Sequence, residues 1–188
     1  LISQLVSAQN TKQDFNLNIT PHYGIFNPGL NLKKTFGINS IIGSDIVIHK
    51  NNFFYSLGFG YIFGEHVKDS SVFFMFSEGG IIVDEIGQIG EVYLYERGYQ
   101  IMGKFGKEIE LFNNNFSAII GVGFMQYKIK IKDQDNTIPA LSNEYLKGYD
   151  KLSNGINTNI FFGYIYQKGN NKFNLGIESS IAFTKNRR

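Results

Sequence analysis

Large apolar residues alternate with small or polar ones along most of this chain, with a period of two, as in a strand that has two different faces. From Phe53 to Phe63 every odd position is large and apolar: Phe53, Tyr55, Leu57, Phe59, Tyr61 and Phe63. The even positions are mostly small, with Ser56, Gly58 and Gly60 against the exceptions Phe54 and Ile62. The same pattern returns from Tyr93 to Phe105, from Phe116 to Phe124, from Ile156 to Tyr166 and from Phe173 to Thr184. Two earlier runs, Asp14–Phe26 and Ile38–His49, alternate less cleanly. No window carries a comparable apolar stripe at helical spacing. The pattern predicts an all-β chain of about seven antiparallel strands.

The connections sort into two kinds. Short polar ones occur at 49–52, 113–115 and 167–171, rich in Asn and Gly, which tolerate the left-handed conformations of tight hairpins. Long ones occupy 27–36, 64–90 and about 133–153. Long and short alternate strictly, so in an up-and-down meander every long loop leaves from one end. That is the layout of a transmembrane β-barrel, with short turns inside and long loops outside. Strands of ten or more residues also match the ~9–11 needed to cross a bilayer at a tilt.

Alternation alone does not say which face points outward. In a soluble lipocalin-like barrel the large residues would surround a hydrophobic ligand. Here the opposite face is built of Gly, Ser, Asn and Gln with a few charges, which suits the narrow interior of an eight-stranded barrel. Tyr55, Tyr93, Tyr95, Tyr164 and Tyr166 lie near strand ends, as an aromatic girdle at the membrane interface requires. The expected fold is therefore an antiparallel up-and-down transmembrane barrel of eight strands, seven of them present.

The composition narrows the partners. Lys and Arg number 18 and Asp and Glu 16, a formal charge of +2, so no basic footprint for nucleic acid exists. Cysteine is absent, which removes disulfides, thiol nucleophiles and thiolate metal sites. Glycine is 21 of 188 residues, about 11% against an ordinary ~7%. No run of 18 apolar residues forms a transmembrane helix.

Both ends carry their own signals. Leu1–Val6 followed by Ser7 and Ala8 reads as the end of a signal peptide, so residues 1–9 are expected to be its remnant and 10–188 the barrel. An even strand count places a closing eighth strand beyond Arg188. The expected location is the outer membrane, reached through a cleaved signal peptide.

Chemistry-bearing positions are few. Glu96, Lys104 and Glu178 fall on the small face, and unpaired charge there is costly, so an interior network pairing Lys104 with a carboxylate is expected. If the phase of Ile120, Val122 and Phe124 continues, Lys128, Lys130 and Lys132 face outward at the height of the outer leaflet, within reach of lipid or lipopolysaccharide phosphates, and Ile129 and Ile131 point inward. The loop 64–90 is more apolar than a loop bathed in water should be; its Phe73, Phe74 and Phe76, with Tyr145 and Tyr149 of the loop 133–153, form an expected partner-facing surface. A turn of helix ended by Gly148 fits the second loop. His22, His49 and His66 lack ligand spacing, and Asp133–Thr137 opens like a calcium loop without its glycine or closing glutamate. No nucleophile motif and no cofactor signature appears.

The stretches Asn39–Ile42, Tyr61–Gly64, Val92–Tyr99, Gly121–Gln126, Asp133–Pro139 and Lys147–Gly155, with the terminal Ala182–Arg188, resemble a family of uncharacterised small outer-membrane β-barrels of Bacteroidota-type bacteria. The resemblance covers most of the chain after Asp14. In such relatives another aromatic-rich strand follows the Asn-Arg-Arg segment. It implies location and fold, and by analogy an accessory role beside secretion or barrel-assembly machinery. The expected function is non-enzymatic, structural or adaptor-like. Two alternatives stand beside it, the soluble ligand-binding barrel and an enzyme acting at the outer rim.

Overall fold

The computed structural model describes residues 2–5, 16–75, 77, 82–134, 137–141, 150–169 and 171–187. Among the described residues are eight strands: β1 (Ile2–Leu5), β2 (Asn16–Phe26), β3 (Asn39–Lys50), β4 (Phe53–Gly64), β5 (Val92–Leu111), β6 (Asn114–Asp133), β7 (Ser153–Lys168) and β8 (Asn171–Asn186). From β2 to β8 each strand pairs antiparallel with its sequence neighbour, so seven long strands form one up-and-down sheet. The seven alternating runs of the sequence are these seven strands. β1, within the residues expected to be a signal remnant, lies between the two end strands, pairing over four residues with Lys172–Leu175 of β8 and over two with His22 and Tyr23 of β2. From the sequence, the closing strand is expected beyond Arg188 instead. Beyond β1 the edges of β2 and β8 line a cavity of about 860 Å³.

The short turns hold because their residues accept left-handed backbone. Asn51 sits at φ 56°, and Phe112 and Asn113 at φ 53° and 58°, the pair of positive values that matches the twist of a two-residue hairpin. Gly169 serves the third turn at φ 60°. At the other end lie the long connections. The first contains a one-turn helix, α1 (Leu32–Thr35), and the second a 3₁₀ turn, Ser71–Met75, and a small hairpin closed by the bridge Val83–Ile89. The first two are tied together by the bridge Phe36–Val67. β5 and β6, at 20 residues each, overshoot their neighbours: β4 stops at Gly64, opposite Glu96, leaving Val92–Tyr95 paired with β6 alone.

Alternation now has a direction. On β4 the outward positions are Phe53, Tyr55, Leu57, Phe59, Tyr61 and Phe63, the first five exposed and Phe63 partly covered, with Phe54 and Ile62 buried behind them. On β7 and β8 Ile160, Phe162, Ile177 and Phe183 likewise stand outward, Ile177 at 81% exposure. Aromatic rings gather at both margins of this outer belt. Phe53, Tyr55 and Phe105 stack near the short turns, as do Phe116, Phe162 and Tyr164, whereas Phe59, Tyr99 and Phe124 group toward the loops.

The inner face changes character along its height. One row across the sheet runs Thr20, Asp45, Gly58, Met102, Gly123, Asn157 and Ala182, mostly small or polar. Toward the loops the face becomes apolar. Phe36, Ile41, Ile62, Val72, Met125, Tyr127, Ile129, Ile131, Ile138 and Leu141 form one buried cluster, contributed by strands and all three long connections. The loops thus pack into the mouth of the sheet as an apolar plug, each buried side chain contributing roughly 1.5–3 kcal/mol. This explains the untidy alternation of β2 and β3, whose Phe26 and Ile41 face the plug and whose Val47 lines the opposite cavity.

Candidate functional site

The middle of the inner face holds a buried ion cluster. Lys104 Nζ on β5 donates to Asp45 on β3, at 2.8 Å to Oδ1 and 3.1 Å to Oδ2, and His22 Nδ1 on β2 lies 3.3 Å from Asp45 Oδ2. β4 lies between β3 and β5, and the contact passes over it because Gly58 has no side chain. A Cβ there would collide with Asp45 Oδ1 and come to 3.3 Å from Lys104 Nζ. Gly121 clears the other flank, where a Cβ would meet the Asn159 carboxamide and sit 3.1 Å from Lys104 Cγ. Small residues on this face are therefore room for longer neighbours, which is why glycine is so abundant. The carboxylate expected to partner Lys104 is Asp45.

Two other interior positions named from the sequence stand apart from this cluster, so the grouping of Glu96, Lys104 and Glu178 into one network is corrected. Glu96 lies eight residues up the same strand, about 27 Å at 3.4 Å per residue. It is fully buried beneath the plug, where Asn39 Nδ2 donates to its Oε2. Glu178 is on β8 and lines both interior cavities. Alternation put all three on the correct face, but their partners depend on register across intervening strands.

Further polar pairs extend the interior on either side. Asn157 Nδ2 donates to Gln100 Oε1 at 3.0 Å, and Asn174 Nδ2 to Ser117 Oγ at 2.7 Å. Near the short turns Lys172 meets Glu108 at 3.3 Å beside a cavity of about 80 Å³ that Asp45, His49, Glu108 and Glu178 help to line. Thr20 Oγ1 and the Asn159 carboxamide are buried with no protein partner among the described residues, so solvent must complete their hydrogen bonding. The wall of that cavity also includes Val47, Phe54, Ile119, Phe161 and Ile165, so apolar side chains stand beside the charged ones there.

The outward phase of β6 runs unbroken, so Lys128, Lys130 and Lys132 face outward while Ile129 and Ile131 are buried. Lys128 is 3.1 Å from Asp150. The loops are also joined to one another: Lys151 Nζ donates to Asp69 Oδ2 at 2.8 Å and to Ser71 Oγ at 2.5 Å. Burial raises the Asp69 pKa, but hydrogen bonds from Lys151 and from the Ser71 hydroxyl and amide outweigh it and hold the carboxyl below its ordinary 3.8.

Of the five residues expected to face a partner, two are described, and they part company. Phe73 packs against the plug, because the 3₁₀ turn that buries Val72 carries its neighbour inward, while Phe74 stands 76% exposed. Ile86 and Ile89 of the small hairpin are also exposed. Phe76, Tyr145, Tyr149 and the turn of helix expected before Gly148 lie outside the described residues, as do 6–15. The three histidines fall on β2, β3 and the second long connection, and among the described residues no group of three or more His, Asp or Glu is arranged to hold a metal ion.

No family model, curated protein or solved structure matches this chain.

Proposed function

We propose that this chain forms a closed β-barrel of the bacterial outer membrane, non-enzymatic and structural or adaptor-like, with its long connections on the outer side. One observation carries the reading: the large apolar side chains stand on the exposed face of the sheet, and the charged and amide side chains lie inside. In water that arrangement would leave the belt solvated and the ions desolvated, both unfavourable. In a bilayer it is the favourable one.

The height of the belt agrees. On the outward phase of β5, Arg97 and Lys107 bracket Tyr99, Ile101, Gly103 and Phe105, ten residue steps from end to end. That is about 34 Å of strand, or about 24–28 Å of height at the tilt of such barrels, near the ~25 Å apolar band they carry. Short turns at one end and packed loops at the other fit the usual orientation. Among the described residues, the loops offer a protein partner Phe74, Ile86 and Ile89, with Leu30 and Val83 also exposed.

The experiment is a charge scan of the belt. The full-length protein is refolded into phosphatidylcholine bilayers, and its folded fraction is read from the mobility difference between unboiled and boiled samples on a denaturing gel. Ile120→Arg, at the centre of the outward phase of β6, should cost ~2–4 kcal/mol if it faces lipid. In water it should be nearly neutral. A soluble protein without a heat-modifiable band, indifferent to Ile120→Arg, overturns the reading.

A further inference from the structure

The overshooting ends of β5 and β6 carry a ladder that the belt does not explain. On the outward face their register pairs Tyr93 with Lys132, Tyr95 with Lys130, Arg97 with Lys128, and Tyr99 with Gln126. Four cations and three tyrosines thus share one two-stranded strip, starting where the apolar belt stops. Arg97 is fixed in place: its Nη1 donates to the carbonyls of Gly64 at 3.2 Å and Glu96 at 2.7 Å, and its guanidinium lies 4.8 Å from the Tyr95 ring centroid. Its Nε and Nη2 have no partner among the described residues, and neither Lys130 nor Lys132 forms an ion pair there. Asp150 pairs with Lys128 at 3.1 Å, and the nearby Glu91 accepts from the Tyr93 hydroxyl at 3.2 Å.

We propose that this strip is a docking surface for the phosphorylated headgroup of an outer-leaflet glycolipid, lipopolysaccharide. The inference rests on the membrane reading above and adds a specific lipid to it. Charge complementarity selects the occupant. Lys128, Lys130 and Lys132 span about 14 Å of strand, and Arg97 faces them one strand away. That spacing offers separate cations to phosphates on an extended sugar, while the tyrosines present rings to the sugar and hydroxyls to its polar groups. Arg97, preset by its carbonyl bonds, supplies a planar fork to one phosphate, and the lysines act as point charges. Choosing this strip is also physically sensible for the lysines, because ammonium groups so close above an apolar belt lose part of their hydration unless anions replace it.

The test uses the full-length protein refolded in neutral detergent, titrated with purified lipopolysaccharide and, separately, with the same glycolipid after enzymatic dephosphorylation. Wild type is expected to bind the phosphorylated form at least tenfold more tightly. Lys130→Gln/Lys132→Gln, at two exposed positions, should lose roughly tenfold or more of that binding, with Lys130→Arg/Lys132→Arg restoring it. The double glutamine variant must still give the heat-modifiable band in phosphatidylcholine bilayers. Equal binding of the two glycolipids, or no change in the glutamine variant, overturns the surface and leaves the membrane reading standing. Competition by millimolar inorganic phosphate that abolishes binding makes free phosphate the ligand and overturns the lipid assignment. Failure of wild type to fold in any bilayer overturns both.

Discussion

Removing the Asp45 carboxylate is the sharpest test of how the interior is held. Asp45 and Lys104 are 2.8 Å apart with side chains 13% and 10% exposed, and His22, at 3%, closes the other side of the carboxylate. Two unit charges about 3 Å apart attract by roughly 5 kcal/mol at an effective dielectric near 20. Lost hydration removes several kcal/mol per ion, so the intact pair is close to neutral in net stability. Breaking it is a different matter. Asp45→Asn leaves the ammonium buried without a counter-charge and should cost about 3 kcal/mol. Lys104→Met leaves the carboxylate still 3.3 Å from His22 Nδ1, and should cost about 1–2 kcal/mol. Both together remove every uncompensated charge, so the double variant should lie near 1 kcal/mol below wild type, a coupling of about 3 kcal/mol. Urea unfolding of the folded protein, read from the heat-modifiable band, reports this directly. At a slope of ~3 kcal/mol/M, Asp45→Asn lowers the midpoint by about 1 M. If both single variants cost less than about 0.5 kcal/mol and their effects add, the interior is wet enough to solvate each ion separately and the reasoning fails.

Three further outcomes follow from the same geometry. Gly58→Ala drives a methyl into Asp45 Oδ1 and should destabilise by about 1–3 kcal/mol, whereas in Asp45→Asn/Lys104→Met that cost should shrink; the same urea series measures both. Asn113→Val places a β-branched side chain at φ 58° and should cost about 1–2 kcal/mol, with Asn113→Gly harmless; urea midpoints near wild type for both would remove strain from the turn. Asp69, whose folded pKa lies below its unfolded one, contributes stability that is present above the unfolded value and is lost as pH falls through the folded one. The loop contact should therefore persist at pH 4–5 and loosen below the ordinary 3.8, seen as faster amide exchange in residues 69–73; Asp69→Asn should erase that pH dependence.

Much of the architecture was legible because a strand writes its two faces into alternate residues. Phe53–Phe63 needed no partner to declare its outward side, and Asn-rich turns marked their own positions through the backbone they tolerate. The phase of β6 was legible too, since nothing between Phe124 and Lys132 interrupts it. Asp45 was not, for two reasons. β3 carries apolar residues on both faces, Ile41 and Val47 inward and Ile42 and Ile46 outward, which blurs the period. Its ion partner lies two strands away over a glycine, and that depends on the register of three strands at once. The available signal was Gly58 in a run of bulky residues, a gap that some neighbour had to fill. Val72 and Phe73 posed the opposite problem, for apolar loop residues look alike whether they pack into a mouth or meet a partner.

The twenty-residue hairpin of β5 and β6 also sets an order of assembly. All twenty of its ladder pairs form between residues no more than 41 apart in sequence, around a two-residue turn already in the required conformation. The contact of Ile2–Leu5 with β8 joins residues about 170 apart and rests on four pairs. Loop-closure entropy makes the hairpin the cheap early event and the seam the expensive late one. The chain should therefore zip outward from its centre, and any nascent sheet should wait with β2 and β8 as open edges, the stage at which a folding helper has most to guard.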